Sequence, residues 1–355
     1  MTRVDRIRQL TGEAGAEAAL VTHPADIRWA VGFTGSNGLL VVTPSEAHFV
    51  TDGRYTTQAA DEVTDAEIHV PSGHALADHV RDAAFLADVS SVAIQADRLT
   101  VSAFDTYRDL FPDVTFQPVK ELLSAAVAAK SPENVEAVAR AQRVTCEVFE
   151  ALLPSVREGV TEQELAAEIT YLHLKRGASA MSFEPIVASG ARGALPHARP
   201  SGKALQAGEL VVIDMGAYLD GYSSDLTRTV AVGSVPAAAR AAYETVRRAQ
   251  EAAFEVAEAG RLGGDLDRAA RDVIEADGLG EWFSHSLGHG VGLDVHEWPR
   301  LSQTVEHVLP EGATVTIEPG VYVPGEFGVR IEDVIVLERG GMRNLTPLAH
   351  DLVVV

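Results

Sequence analysis

Four acidic residues constrain this chain of 355 residues more than anything else in it, because each borders a short apolar run that reads as buried strand. Asp214 closes the run Leu210 to Asp214. Asp225 stands eleven positions later, just before a second run beginning near Thr227, and Gly216 and Gly221 between them suit a turn that pairs the two strands. Glu318 follows Val315 to Ile317, and Glu332 follows Val329 to Ile331. A carboxylate at the end of a buried strand is costly unless it meets a cation. Taken singly, each has an ordinary account: the aspartates as turn caps or solvated strand ends, and Glu332, flanked by Arg330 and Asp333, as part of a structural ion pair. Brought together, four carboxylates repel one another, and some are forced to stay protonated.

The segment HSLGHGVGLDVHEWP adds His285, His289 and His296, interleaved with Gly288, Gly290 and Gly292. Glycines let backbone approach a crowded centre closely. The pattern is not the HExxH of zinc proteases, which occurs nowhere in the chain. Two divalent cations would balance the four carboxylates, with a histidine as neutral ligand. A carboxylate-dominated donor set favours hard or borderline ions, Mn(II) or Co(II), with Zn(II) also admissible. Two such ions roughly 3.5 Å apart can share one water, lower its pKa and polarise a carbonyl. That chemistry is hydrolysis.

Periodicity divides the chain in two. In residues 1–125, strand-like runs (Ala18 to Thr22, Gly38 to Val42, His48 to Val50, Ile68 to Val70, Val92 to Ile94) alternate with helical stretches (Asp5 to Ala14, Leu76 to Leu86, Val101 to Leu110), an α/β pattern. A boundary falls near Lys130, where Ser131 can cap a helix whose first turn accepts Pro132. Residues 131–355 open with helices over Pro132 to Leu153 and Thr161 to Arg176, the second with capping-box form at Thr161 and Glu164. Helices over Ala237 to Glu258 and Asp265 to Asp277 precede a strand-and-turn remainder, giving an α+β second domain.

The motifs VVIDMGAYLDGYSSDLTRTV, HSLGHGVGLDVHEWP and VTIEPGVYVPGEFGVRIEDVIV resemble those of the pita-bread metallopeptidases, specifically the Xaa-Pro peptidases: prolidases and aminopeptidases P. The resemblance covers roughly Ser131 to the C-terminus. It implies a creatinase-type N-terminal domain followed by a pita-bread domain like that of creatinase and methionine aminopeptidase. It also implies metal ligands in the order Asp214, Asp225, His289, Glu318 and Glu332, with Asp225 and Glu332 bridging two ions. By the same resemblance His197, in SGARGALPHARP, lies near the substrate. His285 and His296 contact the scissile carbonyl or the proline side, Arg330 orients Glu332 or the substrate carboxylate, and Glu318 shuttles a proton to the proline nitrogen after attack by a hydroxide bridging the metals. The implied substrate is a proline-containing di- or oligopeptide, cut at the Xaa-Pro bond.

Within the first domain, TDGRYTTQA (Thr51 to Ala59) is similar to a segment of many aminopeptidases P and small bacterial Xaa-Pro peptidases, and is not general among compact archaeal prolidases. The two halves therefore point to different substrate lengths. Family members are usually dimers, which implies a homodimer in which Arg54 or Tyr55 reaches the partner's site; an Asx-type turn opening a surface helix is the plainer account. The rival reading is a non-catalytic pita-bread peptide-binding module, which usually loses ligands that this chain keeps. His23, His48, His69, His74, His79, His173, His307 and His350 have no constellation around them in sequence and read as structural or solvated.

The formal charge of -22 argues against nucleic acid or an anionic membrane as partner, since both recruit basic surface. No run approaches the roughly 18 apolar residues of a membrane span. The N-terminus has no apolar signal core. A single cysteine, Cys146, excludes an internal disulfide and reads as a small core residue. A reducing cytoplasm fits these features.

Overall fold

In the computed structural model, which describes residues 1–73 and 75–355, the chain forms two compact units, residues 1–127 and 128–355. His74 lies outside the described residues.

The first unit is built on a six-stranded mixed sheet in the order Glu67–His69, Ala47–Val50, Leu39–Val42, Ala18–Val21, Ser91–Gln95, Thr115–Val119. The strands at its centre are buried along their whole length, as expected when both faces of a sheet are covered. Its first helix, Arg3–Glu13, starts on a reciprocal capping box between Thr2 and Asp5. Several elements escape the periodicity, two of them for a clear local reason. Thr115–Val119 is a partly exposed edge strand carrying Pro118, so it lacks a continuous apolar run. Pro24–Val31 is a short helix with proline in its first turn and Gly32 closing it at φ 88°.

In the second unit every pair of named strands is antiparallel, and two sheets are each backed by a pair of helices, the α+β arrangement. Helices Pro132–Leu152 and Glu162–Lys175 bury Val148, Leu152, Leu165 and Ile169 against Val211, Ile213 and Val230 of the sheet Ile186–Ser189, Leu210–Met215, Leu226–Ala231. Helices Ala237–Val256 and Gly263–Ala276 bury Tyr243, Val246, Leu266 and Ile274 against Val315, Ile317, Val329 and Ile335. Those four residues belong to the five-stranded sheet containing Gly288–Gly290, Thr314–Ile317 and Asp333–Glu338, and to the hairpin Gly320–Val323 with Phe327–Arg330. The predicted caps are present: the Ser131 side chain accepts from Asn134 N–H ahead of Pro132, and Thr161 with Glu164 forms a complete capping box. Cys146 is buried in the first helix of this unit, and burial pushes its thiol up to about 12.

Candidate metal centre

Strand pairing gathers the acidic residues. Asp214 sits opposite Thr227 in the antiparallel ladder, so Asp225, two residues before Thr227, lies beside it. Ile317 pairs with Asp333, so Glu318 and Glu332, fourteen residues apart in sequence, flank one register position. His289 comes from Gly288–Gly290, the neighbour of Thr314–Ile317. The flanking glycines are required there: a Cβ on Gly288 would land on the Thr316 carbonyl, and one on Gly290 on the Trp298 carbonyl.

The resulting cluster is tight and largely buried. Oxygen or nitrogen atoms of Asp225, His289 and Glu332 lie within 4.8 Å of one another. His289 Nε2 is 3.3 Å from Glu318 Oε1 and 3.7 Å from Asp225 Oδ2. Its Nδ1 faces the Gly290 carbonyl at 3.1 Å; a proton donated there leaves the Nε2 lone pair aimed at the carboxylates.

Each acid is held from behind. Gln142, fully buried, accepts from Asp225 N–H and donates to its carbonyl, fixing the backbone there. Thr227 Oγ1 donates to Glu332 Oε2 at 2.7 Å, and Thr316 Oγ1 donates to Glu318 Oε1 at 3.1 Å. Arg330 donates to Asp214 Oδ2 at 2.7 Å, to Thr227 Oγ1, to the Tyr322 hydroxyl and to the Pro196 carbonyl. Arg330 therefore makes its charged contact with Asp214, and reaches Glu332 through the Thr227 hydroxyl and through its charge, which opposes the rise of the Glu332 carboxyl. These contacts use four of its five N–H groups.

The electrostatics show that this donor set suits a cation. Burial, then the charges of Glu332, Asp214 and Glu318, push the Asp225 carboxyl well above the usual range. Burial followed by Glu318 and Asp214 does the same to Glu332, and burial raises Asp214 against the pull of Arg330. Burial also works to raise Glu318, but the hydrogen bond from His289 and the charges of His289, His285 and Arg330 bring it down to about 2. Asp214 Oδ1 is buried with no hydrogen-bond partner among the described residues. An orphaned carboxylate oxygen among acids that resist ionising together is what divalent cations would satisfy.

Around this cluster, His285 is engaged at both ring nitrogens, by the Ser286 carbonyl at 2.8 Å and the Tyr322 hydroxyl at 2.9 Å, and burial lowers its pKa. The His296 ring lies edge-on to His289 at 4.2 Å and makes no hydrogen bond within the described chain. His197 is exposed on the loop beside Pro196, close enough for its charge to depress both His285 and His296. Tyr322, which joins His285 to Arg330 and whose hydroxyl burial pushes up to about 12, was not singled out from the sequence. Its signal was a lone phenol in an apolar hairpin between the two glutamates. Gln142 is a fully buried amide on a helix face that is apolar apart from it and Thr145.

In the first unit, Asp52 accepts from the Arg54 backbone, forming the Asx turn that opens the segment Gly53–Tyr55, and pairs with the exposed Arg54 guanidinium at 2.9 Å. Tyr55 bonds Ser36. Three histidines read as isolated are not: His48, His69 and His79 gather at one edge of the sheet.

Known proteins resemble this chain in sequence and fold. Residues 136–339 match the model of metallopeptidase family M24, and residues 3–126 that of the creatinase/prolidase N-terminal domain. The chain is 41% identical over 254 residues to an Xaa-Pro dipeptidase of Pyrococcus furiosus, covering 72% of this chain and 73% of that one. A solved Xaa-Pro dipeptidase from Bacillus anthracis superposes with a TM-score of 0.96 at 35% identity, covering 99% of each chain. An X-Pro aminopeptidase from Thermotoga maritima gives 0.89 at 34%, covering 98% of this chain and 100% of that one. None of these supports a non-catalytic binding module. More than half of the chain matches the family model, and the chain belongs to metallopeptidase family M24.

Proposed function

We propose that this metallopeptidase hydrolyses the Xaa-Pro bond at the N-terminus of di- or oligopeptides, with Asp214, Asp225, His289, Glu318 and Glu332 holding two divalent ions, Mn(II) or Co(II). The observation that carries this reading is the convergence of three buried carboxylates, the partly buried Glu318 and one imidazole, with Asp214 Oδ1 unpartnered among the described residues and Asp225 and Glu332 pushed toward protonation. When bound, the ions supply Lewis acidity toward the scissile carbonyl and make a nucleophile from water at neutral pH.

The chain's own residues do the rest. Glu318, oriented by Thr316, takes the proton of the attacking water and delivers it to the proline nitrogen, which as a tertiary amide carries none. His296, its ring nitrogens uncommitted, donates to the carbonyl oxygen as charge develops there, and His197 closes over the substrate from the rim. His285 acts one step back, with Tyr322 linking it to Arg330, which holds Asp214 in place. The carboxylate-rich donor set supports Mn(II) or Co(II) over a thiophilic ion. A homodimer working in the cytoplasm completes the reading, supported by the likeness of TDGRYTTQA to dimeric relatives' segments and by the lone reduced Cys146.

The test is proline release from an Xaa-Pro dipeptide against cleavage of an Xaa-Pro-Yaa tripeptide, each with Mn(II) and after chelation. Metal-dependent cleavage is expected; dipeptide alone means a dipeptidase, tripeptide an aminopeptidase. Cleavage of neither, with metal bound, overturns the proline specificity.

A further inference from the structure

The outermost strand of the first unit's sheet, Glu67–His69, runs parallel to Ala47–Val50, with His48 opposite Glu67 and Val50 opposite His69. Because alternate side chains share a face, this register gathers His48, Glu67 and His69. Their donor atoms lie within 4.8 Å of one another. His48 Nδ1 is 3.2 Å from His69 Nε2, and Glu67 Oε2 is 3.6 Å from the first and 3.8 Å from the second. Four tetrahedral donors at about 2.0–2.1 Å from a zinc ion stand about 3.3 Å apart. The two nitrogens already have that separation, and the exposed Glu67 side chain needs to close by only a few tenths of an ångström.

The surroundings favour an ion as well. Glu46 Oε2 lies 3.3 Å from His48 Nε2, which favours a proton on that nitrogen and a lone pair on Nδ1, facing the cluster. Phe85 stacks on the His48 ring at 4.0 Å and lies 4.7 Å from the His69 ring, an apolar wall that excludes water from one side. His79, on the helix Leu76–Asp82, brings a third imidazole with its ring 5.6 Å from that of His69. Its Nε2 is buried with no hydrogen-bond partner among the described residues. A proton shared between two neutral imidazoles accounts for the 3.2 Å contact, but not for the carboxylate facing both rings or for the orphaned nitrogen of His79.

We propose that His48 Nδ1, Glu67 Oε2 and His69 Nε2 bind one borderline divalent ion of the zinc class, with His79 beside them as a further donor, at a site separate from the five residues assigned to catalysis. Two imidazoles and one carboxylate match zinc or a neighbouring late transition metal better than the carboxylate-rich centre does. The ion ties an edge strand to its neighbour through side chains, at the edge where the sheet has no further strand.

The test is zinc stoichiometry on the full-length chain. Protein stripped with chelator, loaded with Zn(II) and dialysed is assayed for zinc per chain, both in the natural sequence and in a D225N/E332Q background that disables the catalytic set. The expected result is that H69Q lowers the count by one zinc per chain in both backgrounds, with Xaa-Pro cleavage by the otherwise natural chain unchanged. Glu67 is exposed, so E67Q tests the site without disturbing the fold, and is expected to weaken zinc retention at least tenfold. Co(II) at the site should give visible bands of a tetrahedral ion that disappear with H69Q. A zinc count unchanged by both H69Q and E67Q, or no stoichiometric zinc in the D225N/E332Q protein, overturns the proposal.

Discussion

Glu332 and Asp333 are sequence neighbours, both buried, and they live in opposite electrostatic worlds. On one side of the strands, Thr227, Arg330 and Glu332 face the acidic cluster, where burial and other carboxylates drive Glu332 well above the usual range. On the other side, Arg228 Nη2 donates to Asp333 Oδ1 at 2.7 Å, while Asn344 and His350 each meet Oδ2 at 2.6 Å. Burial would raise Asp333 too, but the Arg228 charge and the bonds from His350 and Asn344 hold it below the usual range. Extended backbone sends successive side chains to opposite faces, so one residue of offset separates an overcharged centre from a neutralised ion pair. Burial alone does not mark a functional carboxylate; burial without enough protein cations does.

The largest expected effect comes from removing an acid on the first side. D225N should lower Xaa-Pro hydrolysis by roughly a thousandfold or more, since both nucleophile generation and carbonyl polarisation depend on the centre. Assays at saturating Mn(II), with bound metal measured in parallel, check it. If D225N keeps most of its activity, the two sides differ less than the electrostatics require.

On the second side the damage should appear as stability. D333N leaves Arg228 buried without its counter-charge, and should cost about 3–5 kcal/mol in urea unfolding of the metal-loaded protein. The fraction that folds should lose far less activity than D225N does.

A sharper probe is Y322F. It breaks the bridge from His285 to Arg330 while touching no carboxylate. A loss of about ten- to a hundredfold in kcat, with metal content unchanged, is expected if the phenol orients groups that act in the transition state. A fall in metal content instead would assign Tyr322 to holding Asp214 through Arg330.

The smallest effect is the pH dependence of the metal-free protein. Asp225 and Glu332 bind protons more tightly folded than unfolded. Their contribution to stability is complete below the ordinary carboxylate range and is lost as pH rises above it. Asp333 has the opposite sign: its contribution is present above that range and lost as pH falls below it. Between pH 5 and 8 these two carboxylates should therefore pull the metal-free Tm down as pH rises, against the opposite pull of histidines lowered by burial, such as His285 and His296. E332Q should flatten that slope and D333N should leave it in place. A slope unchanged by E332Q would show that the carboxylates do not repel as the geometry implies.

Local signals in this chain were legible where the physics is local. The caps at Ser131 and Thr161 need only the few residues that follow them, and strand-end acids can be seen from the apolar runs beside them. Thr115–Val119 was missed because an edge strand buries too little to leave an apolar run. Gln142 was missed because its partner, Asp225, is 83 residues away.

The sequence by itself determined the elements, their caps and a supply of acids and histidines too costly to bury unpaired. Only the tertiary structure decided which of these meet. Sheet register set Thr227 opposite Asp214, put Glu332 and Asp333 on opposite faces, and laid His48 beside His69. Electrostatic character depends on distance in space, and pairing between strands far apart in the chain sets that distance.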